Sequence, residues 1–379
     1  MPEGKNTDIS LMNRSTFFKG VAAGVIGLPV VLRVFMGDEA VAQQDHSSVD
    51  GRRFEWKMVT TWPPTLPILA DGCKMLAELV RKMSNGRLDI TVYGGGELVP
   101  ALESFDTVRQ GGAQMGSGVA YYWSGKVPAA QYFGGIPLGF NAQEMNAWLI
   151  SGGGLELWRE LYAQYNLRPF IGGNTGGQMG GWFNKEINTL SDLRGLKMRM
   201  PGIGGRVLQR LGGSPVLKPA GELYTSLERG LIDALEWIGP FHDYEMGFHE
   251  IAKYYYYPGW HEPGSCFEFT VNLDAWNELP TDLQTILETA THLVNLYTLC
   301  EFEARNAETL ATIKSLGTVE LRAYPEEVLD AARIAAKEVA EELADSDPFA
   351  RRVYDSILAF RARSEAWGDV GLQASQTLG

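Results

Sequence analysis

"FEWKMVTTWPPTLPILADGCKMLAELVRKMSNGRLDITVYG", residues 54–94, sets the layer order of the chain. Phe54, Trp56 and Met58 alternate, as on one face of a strand. "TWPPTLP" is a proline-rich loop at the strand's exit. Leu69, Cys73, Leu76, Val80 and Met83 then recur at spacings of four, three, four and three, which is one helix face. Asn85-Gly86 stops the helix, and "LDITVYG" alternates again. Downstream, Leu102, Phe105 and Val108 mark a second helix closed by Gly111-Gly112, and "AQMGSGVAYYW" reads as a third strand. Strand, helix, strand, helix, strand is the order of a mostly parallel α/β layer.

The pattern recurs further along. "LRPFIGGNT", "GWFNK" and "LKMRMPG" read as strands, residues 205–211 as a helix closed by Gly212-Gly213, and "ELYTSLERG" as a helix capped by Gly230. "IDALEWIGP" (232–240) and "CFEFTVNL" (266–273) complete the strands, with Phe267, Phe269 and Val271 on one face of the latter. The last third is helical. Thr281 and Gln284 suit a capping box after Pro280, and Leu283, Leu287, Ala290, Val294 and Tyr297 start a pattern that runs without a breaker to about Ser315. Such a helix is on the order of 50 Å long and suits a brace between two lobes. Two more helices follow, at roughly 325–344 and in "DPFARRVYDSILAFRARSEAW". The last either docks on its own lobe or packs on a second subunit.

The 379 residues suffice for two domains, and the formal charge of -13 argues against nucleic acid as a partner. The N-terminus reads as an export signal: a polar, basic lead, an apolar core "VAAGVIGLPVVL" too short for an ordinary membrane span, and Ala40-Val41-Ala42 as cleavage site. Residues 1–42 are therefore expected to be removed near Ala42, leaving a periplasmic chain; an uncleaved anchor is the alternative. "NRSTFFK" resembles the twin-arginine export motif, but Ser15 replaces the second arginine, so the route stays open. Cys73, Cys266 and Cys300 are odd in number and widely spaced, which suits buried free thiols, with one bridge still allowed.

Catalytic signatures are missing. There is no G-x-S-x-G, and "GGNTGGQMGG" (172–181) leads into a strand rather than a phosphate-binding helix. His242, His249, His261, Glu245 and Glu262 lie close in sequence without metal-ligand spacing, so the histidines read as surface and core residues. "YYYY" (254–257) reads as wall or interface. Anion chemistry is better served. Arg199 lies in the short apolar strand "LKMRMP", where its fork needs a carboxylate, from a ligand or from an internal ion pair. Glu236, in the middle of "IDALEWIGP", needs a cation, an arginine or a ligand. Asn174, Gln178 and Trp237 complete a compact polar pocket with a flat wall.

"LRGLKMRMPG", "AGELYTSLERGLIDALEW" and "YYYYPGWHEPG" together resemble the DctP-type solute-binding proteins of tripartite ATP-independent periplasmic (TRAP) transporters. The family's L-x-G-x-K-x-R strand matches Leu193 to Arg199, and its E-x-Y-x-x-L-x-x-G-x-[IV]-D element matches Glu222 to Asp233. The resemblance implies an α/β, two-lobed periplasmic-binding-protein fold with a long bridging helix and a C-terminal helix. Lobe I would take residues 53–172 plus 258–300, and lobe II 173–257 plus 301–345. Residues 346–379 would form a C-terminal helix exchanged in a homodimer. Glu236-Trp237, with Gln178 and Glu262, resembles the subgroup that binds 2-oxo monocarboxylates or lactate with a metal. By that resemblance Arg199 takes the carboxylate. Gln178, Glu236, Trp237 through its carbonyl, and Glu262 hold a sodium or calcium ion that bridges to the ligand. Asn174, Tyr122 and Trp123 join the pocket, and Trp123, Phe183 and Trp237 form a wall that limits chain length. The implied role is a non-enzymatic subunit delivering a small organic acid, such as pyruvate or lactate, to a TRAP permease. A metal-dependent enzyme acting on a 2-oxo acid, and an ABC-type or chemosensory binding protein, are the alternatives.

Overall fold

The computed structural model describes residues 51–368, 370 and 371, so the export-signal reading of residues 1–42 lies outside the described residues. Strands β1 (Phe54–Thr60), β2 (Leu88–Tyr93), β3 (Met115–Gly118), β4 (Leu167–Asn174) and β10 (Cys266–Asn272) form a five-stranded sheet in the order β2-β1-β3-β10-β4. The first three are parallel; β10 runs antiparallel between β3 and β4. The second sheet contains β5 (Gly181–Phe183), β6 (Lys197–Arg199), β7 (Ser214–Val216), β8 (Ala234–Leu235), β9 (Tyr254–Tyr257) and β11 (Glu320–Ala323), in the order β11-β9-β5-β8-β6-β7.

The helix between β1 and β2 spans Leu69–Met83 and buries Leu69, Cys73, Leu76 and Val80, as their spacing requires. It ends where Asn85 and Gly86 take positive φ. "AQMGSGVAYYW" gives only a four-residue strand, because Ala120–Trp123 curls into a 3-10 turn. Helices Ala142–Ser151 and Gly154–Ala163 fill a stretch that the sequence left unread. The first is opened by a capping box of Asn141 and Glu144.

Three segments pass between the sheets. Residues 175–180 join β4 to β5, residues 258–265 join β9 to β10, and the helix Thr281–Leu316 leads from β10 toward β11. That helix is 36 residues long, about 54 Å at 1.5 Å per residue. Its expected capping box is not formed. Pro280 is the N-cap, Thr281 lies inside the helix, and Gln284 turns back to donate to the carbonyl of Trp276 at 2.9 Å. Gly317 closes it in the left-handed conformation. The two shorter crossings lie against each other. Thr175 N donates to Ser265 O at 3.0 Å, Ser265 N to Thr175 Oγ1 at 2.9 Å, and Gly259 N to Gln178 O at 3.1 Å.

The C-terminal helix, Pro348–Gly368, buries Ala350, Val353, Tyr354 and Ile357 on its own chain. Tyr354 stacks on Tyr132, and Trp148 Nε1 donates to Ser356 Oγ at 3.1 Å. Leu358 and Trp367 are exposed. Cys73 and Cys266 are buried free thiols as expected, but Cys300 is exposed on the long helix, so the expectation that all three are buried fails there.

Candidate functional site

The strand predicted from "IDALEWIGP" is only two residues long, and its end is what matters. Past Leu235 the chain leaves the sheet beside the end of β6, so Glu236 and Arg199 face each other. Glu236 N donates to Arg199 O at 3.2 Å. Arg199 Nη1 returns bonds to the Glu236 backbone carbonyl at 2.8 Å and to its carboxylate. Both side chains are about 1% exposed. Arg199 Nη2 donates to Tyr122 OH at 3.3 Å, and the guanidinium lies 5.1 Å from the Trp237 ring centroid.

The two crossings bring the remaining groups. His261 Nε2 lies 3.1 Å from Glu236 Oε2 and 3.0 Å from Gln178 Oε1. Gln178 Nε2 donates to Thr175 Oγ1 and to Glu262 Oε1, both at 3.1 Å. Glu262 Oε1 also accepts from Tyr121 OH at 3.1 Å. Glu236, His261 and Glu262 each offer a ligand atom, and these atoms lie within 4.8 Å of one another. Buried nitrogens without partners remain at the site: Arg199 Nε and His261 Nδ1.

Burial works on every charge here, and the neighbours decide the outcome. For Glu236 burial alone would raise the pKa; the Arg199 and His261 charges and hydrogen bonds outweigh it and hold the carboxyl below its ordinary range. For His261 burial would lower the pKa, but Glu236 outweighs it and raises it. Glu262 has no such cation of its own. Burial pushes it up to about 7, with His261 opposing and Glu236 adding to the rise. Two carboxyls thus share one guanidinium and one imidazole, charges that balance when all four are ionised, so a cation enters as the imidazole gives up its proton. The oxygens of Glu236, Glu262 and Gln178 are the hard donors that sodium and calcium take. The residues present therefore fit such a cation.

Beside this cluster is a small cavity of about 10 Å³, room for about one water. Its polar lining is Tyr121, Tyr122, Thr175, Gln178, Arg199 and Ser265; its apolar lining is Trp62, Val119, Trp237, Ile238 and Phe267. A larger hollow at the sheet edge, lined by Arg53, Glu55, Arg109, Asp274 and Glu278 among others, is open to solvent and far from these buried charges.

Of the residues singled out from sequence, the structure brings together Arg199, Glu236, Gln178, Trp237, Glu262 and Tyr122. Two lie elsewhere. Asn174 turns its Oδ1 to Gly176 N at 2.9 Å, capping the turn in the crossing, and does not line the cavity. Trp123 points from its 3-10 turn into the core and donates to Glu268 Oε1 at 2.6 Å. Phe183 packs on Tyr256 and Tyr324 instead of forming a cavity wall. The tetra-tyrosine run is β9: Tyr255 stacks on Trp182 and donates to Asp243 at 2.8 Å. His261, read as an ordinary histidine, sits in the cluster, and Trp62, Tyr121, Thr175, Ser265 and Phe267 were not singled out. The one available signal was that Thr175 and Ser265 lie in the two glycine-rich stretches on which the crossings depend.

Two sheets joined by paired crossings and a long helix, with a buried charged cluster and a small cavity at the crossings, define a two-lobed solute-binding protein. Residues 58–347 match the family described as bacterial extracellular solute-binding protein, family 7. The chain belongs to that family. A monocarboxylate 2-oxoacid-binding periplasmic protein of Nostoc is 44% identical over 315 residues, covering 83% of this chain and 86% of the relative. A TRAP periplasmic solute-binding protein of Colwellia psychrerythraea, solved with bound calcium and pyruvate, superposes with a TM-score of 0.84 at 43% identity, covering 86% of this chain and all of the other. A third, from Pseudoalteromonas atlantica with bound sodium and pyruvate, gives a TM-score of 0.84 at 43% identity, covering 86% of this chain and 99% of the other.

Proposed function

We propose that this chain is the extracytoplasmic solute-binding subunit of a TRAP transporter, capturing a small 2-oxo or 2-hydroxy monocarboxylate together with a sodium or calcium ion. The observation that carries the reading is the meeting of Arg199, Glu236, Gln178 and Glu262 in one buried cluster beside a small cavity. Similarity to proteins that hold pyruvate with either cation supports it. Arg199 takes the carboxylate by charge-assisted hydrogen bonds, aided by Tyr122. Glu236, Glu262, Gln178 Oε1 and the Trp237 carbonyl hold the cation, which supplies the positive charge to which the solute's second oxygen binds. Tyr121, Thr175 and Ser265 orient the polar end, and Trp237 covers it.

The binding role is non-enzymatic. Lobe I is residues 53–172 plus 258–300 and lobe II residues 173–257 plus 301–345, close to the division between the two sheets, with the long helix spanning them. Closure of the lobes shields the solute from water and presents both to the permease. Residues 1–42 are removed on export to the periplasm. The exposed distal part of the C-terminal helix, with Leu358 and Trp367, packs on a second subunit.

Isothermal titration of the mature chain, stripped of metal, with pyruvate, lactate and a dicarboxylate tests the reading. Micromolar binding of a monocarboxylate in sodium or calcium, about -8 kcal/mol, is expected. A protein that binds none of these acids under either cation, or that consumes pyruvate, overturns it.

A further inference from the structure

A second void lies behind the first. It is small, about 10 Å³, room for about one water, and is lined by Leu69, Gly72, Cys73, Ser117, Phe269 and Thr298 among others. The two voids share Trp62 and Phe267. These rings meet edge to face at 5.6 Å, and both are almost fully buried. Trp62 is held in place by its Nε1, which donates to Ser117 Oγ at 3.2 Å. The pair thus lies between the cavity at Arg199 and this second small void.

We propose that Trp62 and Phe267 set the length of solute this protein accepts. This rests on the solute reading above. The cavity's charge lies at Arg199, and Trp62 and Phe267 are its aromatic boundary toward the second void. A 2-oxo acid anchored by its carboxylate at Arg199 therefore turns its alkyl tail toward them. A tail that stops at the rings gains contact; a longer one must displace a buried, hydrogen-bonded indole or its partner. The space beyond holds about one water, so a longer tail gains room there only when one of the two rings is shortened. Trp62 is the less replaceable half, because its removal strands Ser117. Phe267 makes no side-chain hydrogen bond and is the half that can be shortened.

Titration of straight-chain 2-oxo acids from three to six carbons, at fixed saturating cation, tests this. In the unaltered protein affinity should fall from the shortest to the longest acid. Phe267→Ala should shift the ratio of six-carbon to three-carbon affinity toward the longer acid by about tenfold or more, as expected for a hydrophobic pocket gaining room. Phe267→Leu should shift it less, and serves if the alanine variant does not fold. Adding Cys73→Leu, which fills the void from its far side, should reverse the shift. The proposal is overturned if the unaltered protein binds all lengths equally, or if the ratio stays constant in a folded Phe267 variant. If the unaltered protein binds no 2-oxo acid with either cation, the solute reading itself fails and takes this one with it.

Discussion

Arg199 and Glu236 hold each other by side chain and backbone at once: one guanidinium nitrogen serves both the carbonyl and the carboxylate of Glu236. A solute carboxylate at Arg199 must compete with Glu236 for that nitrogen. A cation at Glu236 draws the same carboxylate away from it. Each ligand therefore prepares the site for the other, and the linkage is reciprocal, typically about 1–3 kcal/mol. Acid affinity should rise roughly fivefold or more when sodium or calcium is supplied, and metal affinity by the same factor when acid is supplied. Equal acid affinity with and without metal would show that the pair opens unaided.

The same pairing makes Arg199→Ala more than the removal of a solute contact. It leaves Glu236 buried with His261 as its remaining cation, and losing one partner of a buried pair costs about 3–5 kcal/mol. Arg199→Met combined with Glu236→Gln removes both charges and should melt much closer to the unaltered protein, while neither form binds acid. Urea melts of the single and double variants check this. Additive losses would mean that the two charges are not energetically paired.

His242 ties the site across the crossings. Trp237 Nε1 donates to its Nδ1 at 3.3 Å, which puts the ring proton on Nε2, 2.8 Å from the carbonyl of Pro67 in the loop after β1. Burial is consistent with the neutral ring, pushing its pKa down to about 4. His242→Phe keeps a flat ring beside Phe302 but strands the indole N–H, while the Pro67 carbonyl keeps only Leu69 N. A stability loss of roughly 1–3 kcal/mol is expected, with weaker acid binding because Trp237 is freed. A lowered melting temperature with unchanged affinity would make the tie structural only.

Much of this was legible in the sequence, for definite reasons. The Leu69–Met83 helix and the strands around it carry one buried face each, so periodicity finds them. The long helix was visible because nothing breaks it before Gly317. Arg199 and Glu236 stood out as charges in apolar runs. His261 did not, since its partners Glu236 and Gln178 come from distant stretches and no local spacing marks it. Trp123 was misplaced for a similar reason. Its neighbour Tyr122 meets Arg199, but a 3-10 turn sends adjacent side chains in different directions. Glu268 passed unnoticed because reading β10 as one apolar face left its other face for solvent, whereas all seven residues are buried.

The three cysteines should separate cleanly by reactivity. Burial pushes the Cys73 thiol up to about 12 and raises that of Cys266 further, so neither presents a thiolate near neutral pH. Cys300 is exposed. A thiol reagent should titrate one cysteine in the folded protein and three after denaturation. Two fast thiols in the native state would contradict the packing around Cys73 or Cys266.

Glu268 gives the protein a pH dependence of its own. Its carboxyl accepts from Trp123 Nε1 at 2.6 Å and Tyr162 OH at 2.8 Å, yet no cation neighbours it among the groups acting on it. Burial raises it from 4.5 to about 7, and the two hydrogen bonds only moderate the rise. Between those values the folded protein holds a proton that the unfolded chain has released. Stability from this group is thus fully present below about pH 4.5, declines as pH rises, and is gone above about 7. At about 1.4 kcal/mol per unit the change is roughly 3 kcal/mol. Glu268→Gln cannot ionise and keeps an oxygen for one donor. Its melting temperature, relative to the unaltered protein, should therefore climb from pH 5 to pH 8. A constant difference across that range would mean that Glu268 is ionised in the folded protein throughout, its two hydrogen bonds outweighing the burial.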